Sequence, residues 1–168
     1  MRRVECDAHN LERGSPPRVS ALARWWPVLA WAIVISLFST HLFTADKTRH
    51  FILPILHWLF PSVSRPTLFF MHFVIRKCAH VVEYFLLSLL ILRALRGDRN
   101  ELRLCWVMAA IVVVAGYAAL DEFHQSFVPG RTAELSDILL DTFAGAAAQA
   151  AVALTVSWEK VRQGTPEE

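Results

Sequence analysis

The sequence predicts an all-α, polytopic membrane protein with four transmembrane helices plus a short interfacial or re-entrant helix. Three observations carry that reading. Of the 168 residues, 55% are hydrophobic and only 19% charged, with six Trp and eleven Phe. A soluble domain of this size carries more charge and shows amphipathic periodicity. The apolar stretches are also long and apolar on every side, which means burial or lipid. Finally, a dense set of ionisable residues is wedged between two such stretches, 104–120 and 138–158, rather than spread over a surface.

Four spans follow, at about 25–43, 78–95, 102–120 and 135–158. His80 and Glu83 make the second the least clean. Residues 1–24 are polar, contain Pro16-Pro17, and read as a disordered cytoplasmic tail. The first apolar run is too long for a cleavable signal and lacks a small-residue cleavage site, and Arg2-Arg3 alone is a weak twin-arginine pattern. Residues 25–158 form one membrane domain, and 159–168 are a polar C-terminal tail. That division leaves no length for a separate soluble catalytic domain.

A net charge of +2 implies no nucleic-acid partner. The basic residues instead cluster near span ends and set orientation. Five lie in the N-terminal tail, four in the second loop and two at the C-terminus. With both ends inside, eleven basic residues are cytoplasmic against six outside. Both termini are therefore expected in the cytoplasm, with the domain in the inner membrane. Cys6, Cys78 and Cys105 show no metal or redox spacing and read as ordinary apolar thiols.

The first loop contains an apolar segment, 50–61, too short to span and too apolar for a plain loop. It fits an interfacial or re-entrant helix closed by Pro61. Pro66 restarts the chain, and 68–75 lead into the second span. The fourth span carries Gly145 among alanines, so helix backbones can approach closely there. Gln149 is expected to make an interhelical hydrogen bond.

Ionisable groups at bilayer depth are expensive and mark function by default. In the second span Lys77, His80 and Tyr84 fall at i, i+3 and i+7 on one helix face, with Glu83 one step round. In the third loop Asp121 and Gln125 are at i, i+4, beside Glu122 and His124. Pro129-Gly130 turns the chain, aiming Arg131 back at the acids as their default partner. Asp137 and Asp141 are again at i, i+4, and Gly145 continues that face. Both polar sets lie at the same membrane side and are expected to converge on one shallow pocket.

A hard divalent ion would find enough oxygen and imidazole ligands here, but no metal-ligand spacing such as H-E-x-x-H appears. No metal and no cofactor is expected. Phosphate recognition is the more natural chemistry: Arg131 offers a bidentate fork and Lys77 a point charge. His124 reads equally as a solvated loop residue. Arg76 reads as a span-end anchor, and His41, His50, His57 and His72 as interface residues.

These residues together resemble a known family. The pattern Lys77-x-x-His80-x-x-Glu83-Tyr84, then Asp121-Glu122-x-x-Gln125-x-Phe127-x-Pro129-Gly130-Arg131, then Asp137-x-x-x-Asp141-x-x-x-Gly145 resembles the VanZ-like membrane proteins. Leu37-Phe38-Ser39-Thr40-His41 is similar to that family's first-helix exit. The resemblance covers roughly residues 25–151. One departure is Asp141, where the resemblance implies Asn in many relatives. It implies a small multi-helix bacterial membrane protein and a link to glycopeptide (teicoplanin) susceptibility, though resistance itself does not carry over. No enzymatic activity comes with it.

The leading expectation is a binding protein for an anionic lipid or lipid-linked cell-wall precursor at the outer leaflet. Lys77 and Arg131 would grip phosphate, with Asp121, Asp137 and Asp141 orienting them and His80, Glu83, Tyr84, Glu122 and Gln125 completing the pocket. The alternatives are an enzyme acting on a lipid phosphate, with His80 and Glu83 or Asp121 and Glu122 as proton-transfer pair, and a purely structural polar network. Transport is weaker, because one copy has too few spans to form a path.

Overall fold

A computed structural model describes residues 20–40, 45–99, 101–129 and 134–164. They form five helices and, among the described residues, no strand. α1 runs Ala21–Phe38, α2 Ala45–Leu59, α3 Arg65–Arg96, α4 Leu104–Gln125 and α5 Leu135–Gly164.

α1 starts where Ser20 accepts a hydrogen bond from the Ala23 amide at 3.2 Å, so one of the orphan donors of the first turn is satisfied. It ends at Ser39, whose own amide bonds back to Ile35 at 3.0 Å. The apolar part, Leu22–Phe38, is shorter than the sequence reading of 25–43. At 1.5 Å per residue it reaches about 26 Å, just under the roughly 30 Å of a bilayer core. Residues 41–44 lie outside the described residues.

Three helices are long and apolar enough to cross a membrane: Arg65–Arg96, Leu104–Gln125 and Leu135–Glu159. The first corrects a boundary. Residues 68–75, read as a lead-in, are the opening turns of α3 itself. Pro66 sits in the first turn, where its missing N–H breaks nothing. At 32 residues α3 is about 48 Å long, more than a bilayer core requires. α3 stops at Gly97, whose φ of +58° suits glycine.

The helices turn their large apolar groups outward. Leu29, Val112, Phe143 and Leu154 are all more than 60% exposed, as in a bundle whose solvent is lipid. The inner seam is built from smaller residues. Ala110, Val114 and Ala118 of α4 meet Ala144 of α5, with Tyr84, Leu87 and Ile91 of α3 beside them. A Cβ built on Gly145 would lie 2.7 Å from Val114 Cγ1, so only glycine lets α4 and α5 come this close.

α3 and α5 are the most extensively packed pair and run in the same direction. Ser88 donates to the Gly145 carbonyl at 2.9 Å. Gln149 donates to the Ser88 carbonyl at 3.0 Å and hydroxyl at 2.8 Å, which is the interhelical bond expected of it. These bonds fix the axial register of the pair and thereby position the polar residues above them.

Candidate functional site

Climbing α3 from Ser88 toward its start, the packing turns from apolar to charged. Tyr84, His80 and Lys77 follow one another on the face that meets α4 and α5. Asp141 and Asp137 climb α5 in step, one turn apart. The result is a ladder of cross-helix pairs at the end of the bundle where α4 finishes and α5 begins.

The outermost rung is an ion pair between Lys77 and Asp137. Lys77 also sits over the Phe73 ring, 5.3 Å from its centroid. Both members are about four-fifths buried, so the pair is less screened than a surface one. A double-mutant cycle of Lys77→Met and Asp137→Asn, read by unfolding in detergent, should return a coupling of about 1 kcal/mol. Zero coupling would show that the pair contributes nothing to the fold.

On the next rung His80 Nδ1 faces Asp141 Oδ2 at 3.4 Å, without the alignment of a hydrogen bond. Asp141 is almost wholly buried, 1% exposed. Asp141 is thus a carboxylate partner of the His80 ring from across the interface. The His80 and Tyr84 rings lie parallel, with centroids 6.4 Å apart.

The innermost rung is Asp121. One oxygen, Oδ2, accepts from Ser39 Oγ at 2.8 Å, from Gln125 Nε2 at 2.8 Å and from Tyr84 Oη at 3.4 Å. Gln125 also donates to Ser39 Oγ at 3.3 Å. The i, i+4 placement of Asp121 and Gln125 brings them together as the spacing requires. Concentrating three donors on one oxygen stabilises a buried carboxylate.

Glu122 is buried too, but faces away from Asp121's partners. Its Oε2 accepts the Glu134 amide at 2.9 Å, tying the end of α4 to the start of α5. Asp121 and Glu122 therefore serve separate contacts. His124 is exposed. Arg131 lies outside the described residues, as does its pairing with the acids. Among the described residues no three His, Cys, Asp or Glu side chains converge as metal ligands would.

Beside the ladder, between α1, α2 and α3, lies a cavity of about 210 Å³. Phe38, Ile52, Ile75 and Ala79 give it apolar walls. Ser39, Thr48, Arg76, His80 and Glu83 give it a polar end. His80 thus stands between two surroundings, with Asp141 on one side and this cavity on the other.

Several participants were not foreseen as site residues. Ser39 is a hub, fully inside and bonded to Asp121. The cue was a pair of small hydroxyls, Ser39-Thr40, at the end of an apolar run. Tyr117 donates to the Ala32 carbonyl at 2.6 Å and lies 2.8 Å from the Ser36 hydroxyl, fastening α1 to α4. Trp31 does the same to α3 through the Glu83 carbonyl at 2.9 Å. His72, read as an interface residue, is buried against α2 with Nε2 3.2 Å from Thr48 Oγ1.

No curated protein and no solved structure matches the chain. A family model does: VanZ/LLP1 aligns over residues 25–156, which take in α1 through most of α5 and every rung of the ladder. The chain belongs to the VanZ/LLP1 family.

Proposed function

We propose that this protein is a four-span inner-membrane protein that binds an anionic lipid, or a lipid-linked envelope precursor, at the outer face. α1 would be the fourth span and α2 the interfacial helix, with both termini in the cytoplasm. The observation that carries the lipid reading is the 210 Å³ cavity. It has apolar walls suited to a chain and a polar end formed by Ser39, Arg76, His80 and Glu83. In this reading Lys77 and Arg131 would grip the phosphate, with Asp121, Asp137 and Asp141 orienting them.

Native mass spectrometry of gently purified wild type, His80→Ala and Arg131→Ala tests this reading. Wild type should carry the mass of an anionic lipid, and both variants should lose it while keeping the wild-type unfolding midpoint. Equal retention in all three would sink the lipid reading.

One observation favours a second reading. His80 borders the cavity and has the buried Asp141 carboxylate 3.4 Å from its Nδ1, within reach of the hydrogen bond that would orient a general base. An enzyme of this kind would turn over a lipid phosphate, and the activity would vanish in His80→Ala. Absence of turnover across anionic phospholipids and polyprenyl phosphates would remove it.

A further inference from the structure

The described part of the ladder is rich in acids: Asp121, Glu122, Asp137 and Asp141 against Lys77 and His80. A second cavity, about 320 Å³, has the opposite character. It lies between α2 and the opening turns of α3 and is lined by Arg49, Phe69, His72, Phe73 and Arg76. Among the described residues its lining holds no acid. Phe69, His72, Phe73 and Arg76 fall at i, i+3, i+4 and i+7, so one face of α3 supplies four of the five lining residues.

Local contacts hold these groups in place. The Arg49 guanidinium stacks over Phe69, 5.1 Å from the ring centroid. Arg76 Nη1 donates to Thr48 Oγ1 at 3.4 Å, and His72 Nε2 is 3.2 Å from the same oxygen. The Thr48 hydroxyl thus joins Arg76 to the His72 ring, with the direction of the second bond set by the ring's tautomer. His72 is only 4% exposed, so bulk water does little to solvate it.

Two guanidinium groups and an imidazole around one cavity match the chemistry of a phosphate oxygen set. Guanidinium binds phosphate in a bidentate way and is weakly hydrated, so it tolerates half-burial. The volume is near the lower end for ligand sites, which suits a phosphate headgroup better than a whole lipid. We propose that the cavity between α2 and α3, bounded by Arg49, His72 and Arg76, is a phosphate-ester site separate from the acidic ladder. Arg76 borders both cavities, while Arg49 and His72 belong to this one alone. The site stands whether or not the ladder cavity holds lipid.

Calorimetric titration of the full chain in a neutral detergent tests it with two probes. Glycerol 3-phosphate is a free phosphate ester, and dihexanoyl phosphatidylglycerol is a phosphate ester carried on short chains. At least one should bind wild type, and Arg49→Gln and His72→Gln should each weaken it about tenfold, as expected for loss of one charge-assisted contact. Arg93→Gln, the same change at the far end of α3, should keep wild-type affinity. Binding of both probes assigns the site to phosphate as such, and binding of the phospholipid alone assigns it to a lipid headgroup. The proposal is overturned if neither probe binds, if Arg93→Gln weakens binding as much as the others, or if folded variants keep wild-type affinity. Helical circular dichroism and monodisperse elution establish folding. Should Arg49→Gln fail there, His72→Gln decides.

Discussion

Asp121→Ala should destabilise the bundle by about 3 kcal/mol, the largest loss expected from any single polar truncation in this chain. The substitution removes the one oxygen on which Ser39, Gln125 and Tyr84 converge. Each buried donor left without an acceptor costs about 1–3 kcal/mol. Ser39 and Gln125 can still bond to each other, and the unfolded chain in a membrane also finds partners, so the lower end applies to each. Asp121→Asn keeps an acceptor oxygen and should cost about 1 kcal/mol. Unfolding midpoints in detergent distinguish the two. An Asp121→Ala protein within about 0.5 kcal/mol of wild type would show that the three contacts carry little energy.

Gly145→Val should be nearly as damaging, by about 3 kcal/mol, through steric overlap rather than lost bonding. Val114 Cγ1 already occupies the place where a side chain would begin. Relief requires α5 to back away from α4, which stretches the Ser88 to Gly145 bond and shifts Gln149 against Ser88. Every rung above would then lose its alignment, since Asp141 and Asp137 share that face. Gly145→Ala is the milder probe, about 1–2 kcal/mol, and adding Val114→Ala should recover most of it. A stable Gly145→Ala protein, or no recovery in the double variant, would mean that the close approach is not what holds these helices in register.

How far the sequence foretells this molecule depends on the range of the interaction. Local spacing is legible: Asp121 with Gln125, the shared face of Lys77, His80 and Tyr84, and the turn-by-turn rise of Asp137, Asp141 and Gly145 all follow from 3.6 residues per turn. Gln149 was legible too, because an amide in an apolar run needs a partner. What spacing does not contain is which helix slides against which. Asp141 faces the His80 ring because of the axial register of α3 against α5, and that register is set by Gly145 and Ser88 far down the interface. The role of Ser39 is not legible for the same reason: its acceptor lies on another helix. Pro66 reads as a restart of the chain, which it is, but Arg76, Lys77, His80 and Glu83 interrupt the apolar run, so the continuity of α3 through them is not legible from hydropathy. The burial of His72 follows from the packing of α2 beside the first turns of α3.

The bond between Ser39 and Asp121 also has a meaning in time. The two residues are 82 positions apart in the chain. At ribosomal speeds of about 5–20 residues per second, Asp121 is made on the order of 4–16 s after Ser39. Through that interval α1 has left the ribosome with its terminal hydroxyl uncommitted, and the Ala32 carbonyl likewise waits for Tyr117. α1 is therefore the first of the described helices to be made, and although Trp31 can fasten it to α3 early, its bonds at Ser39 and Ala32 stay unmade in any chain stalled before α4.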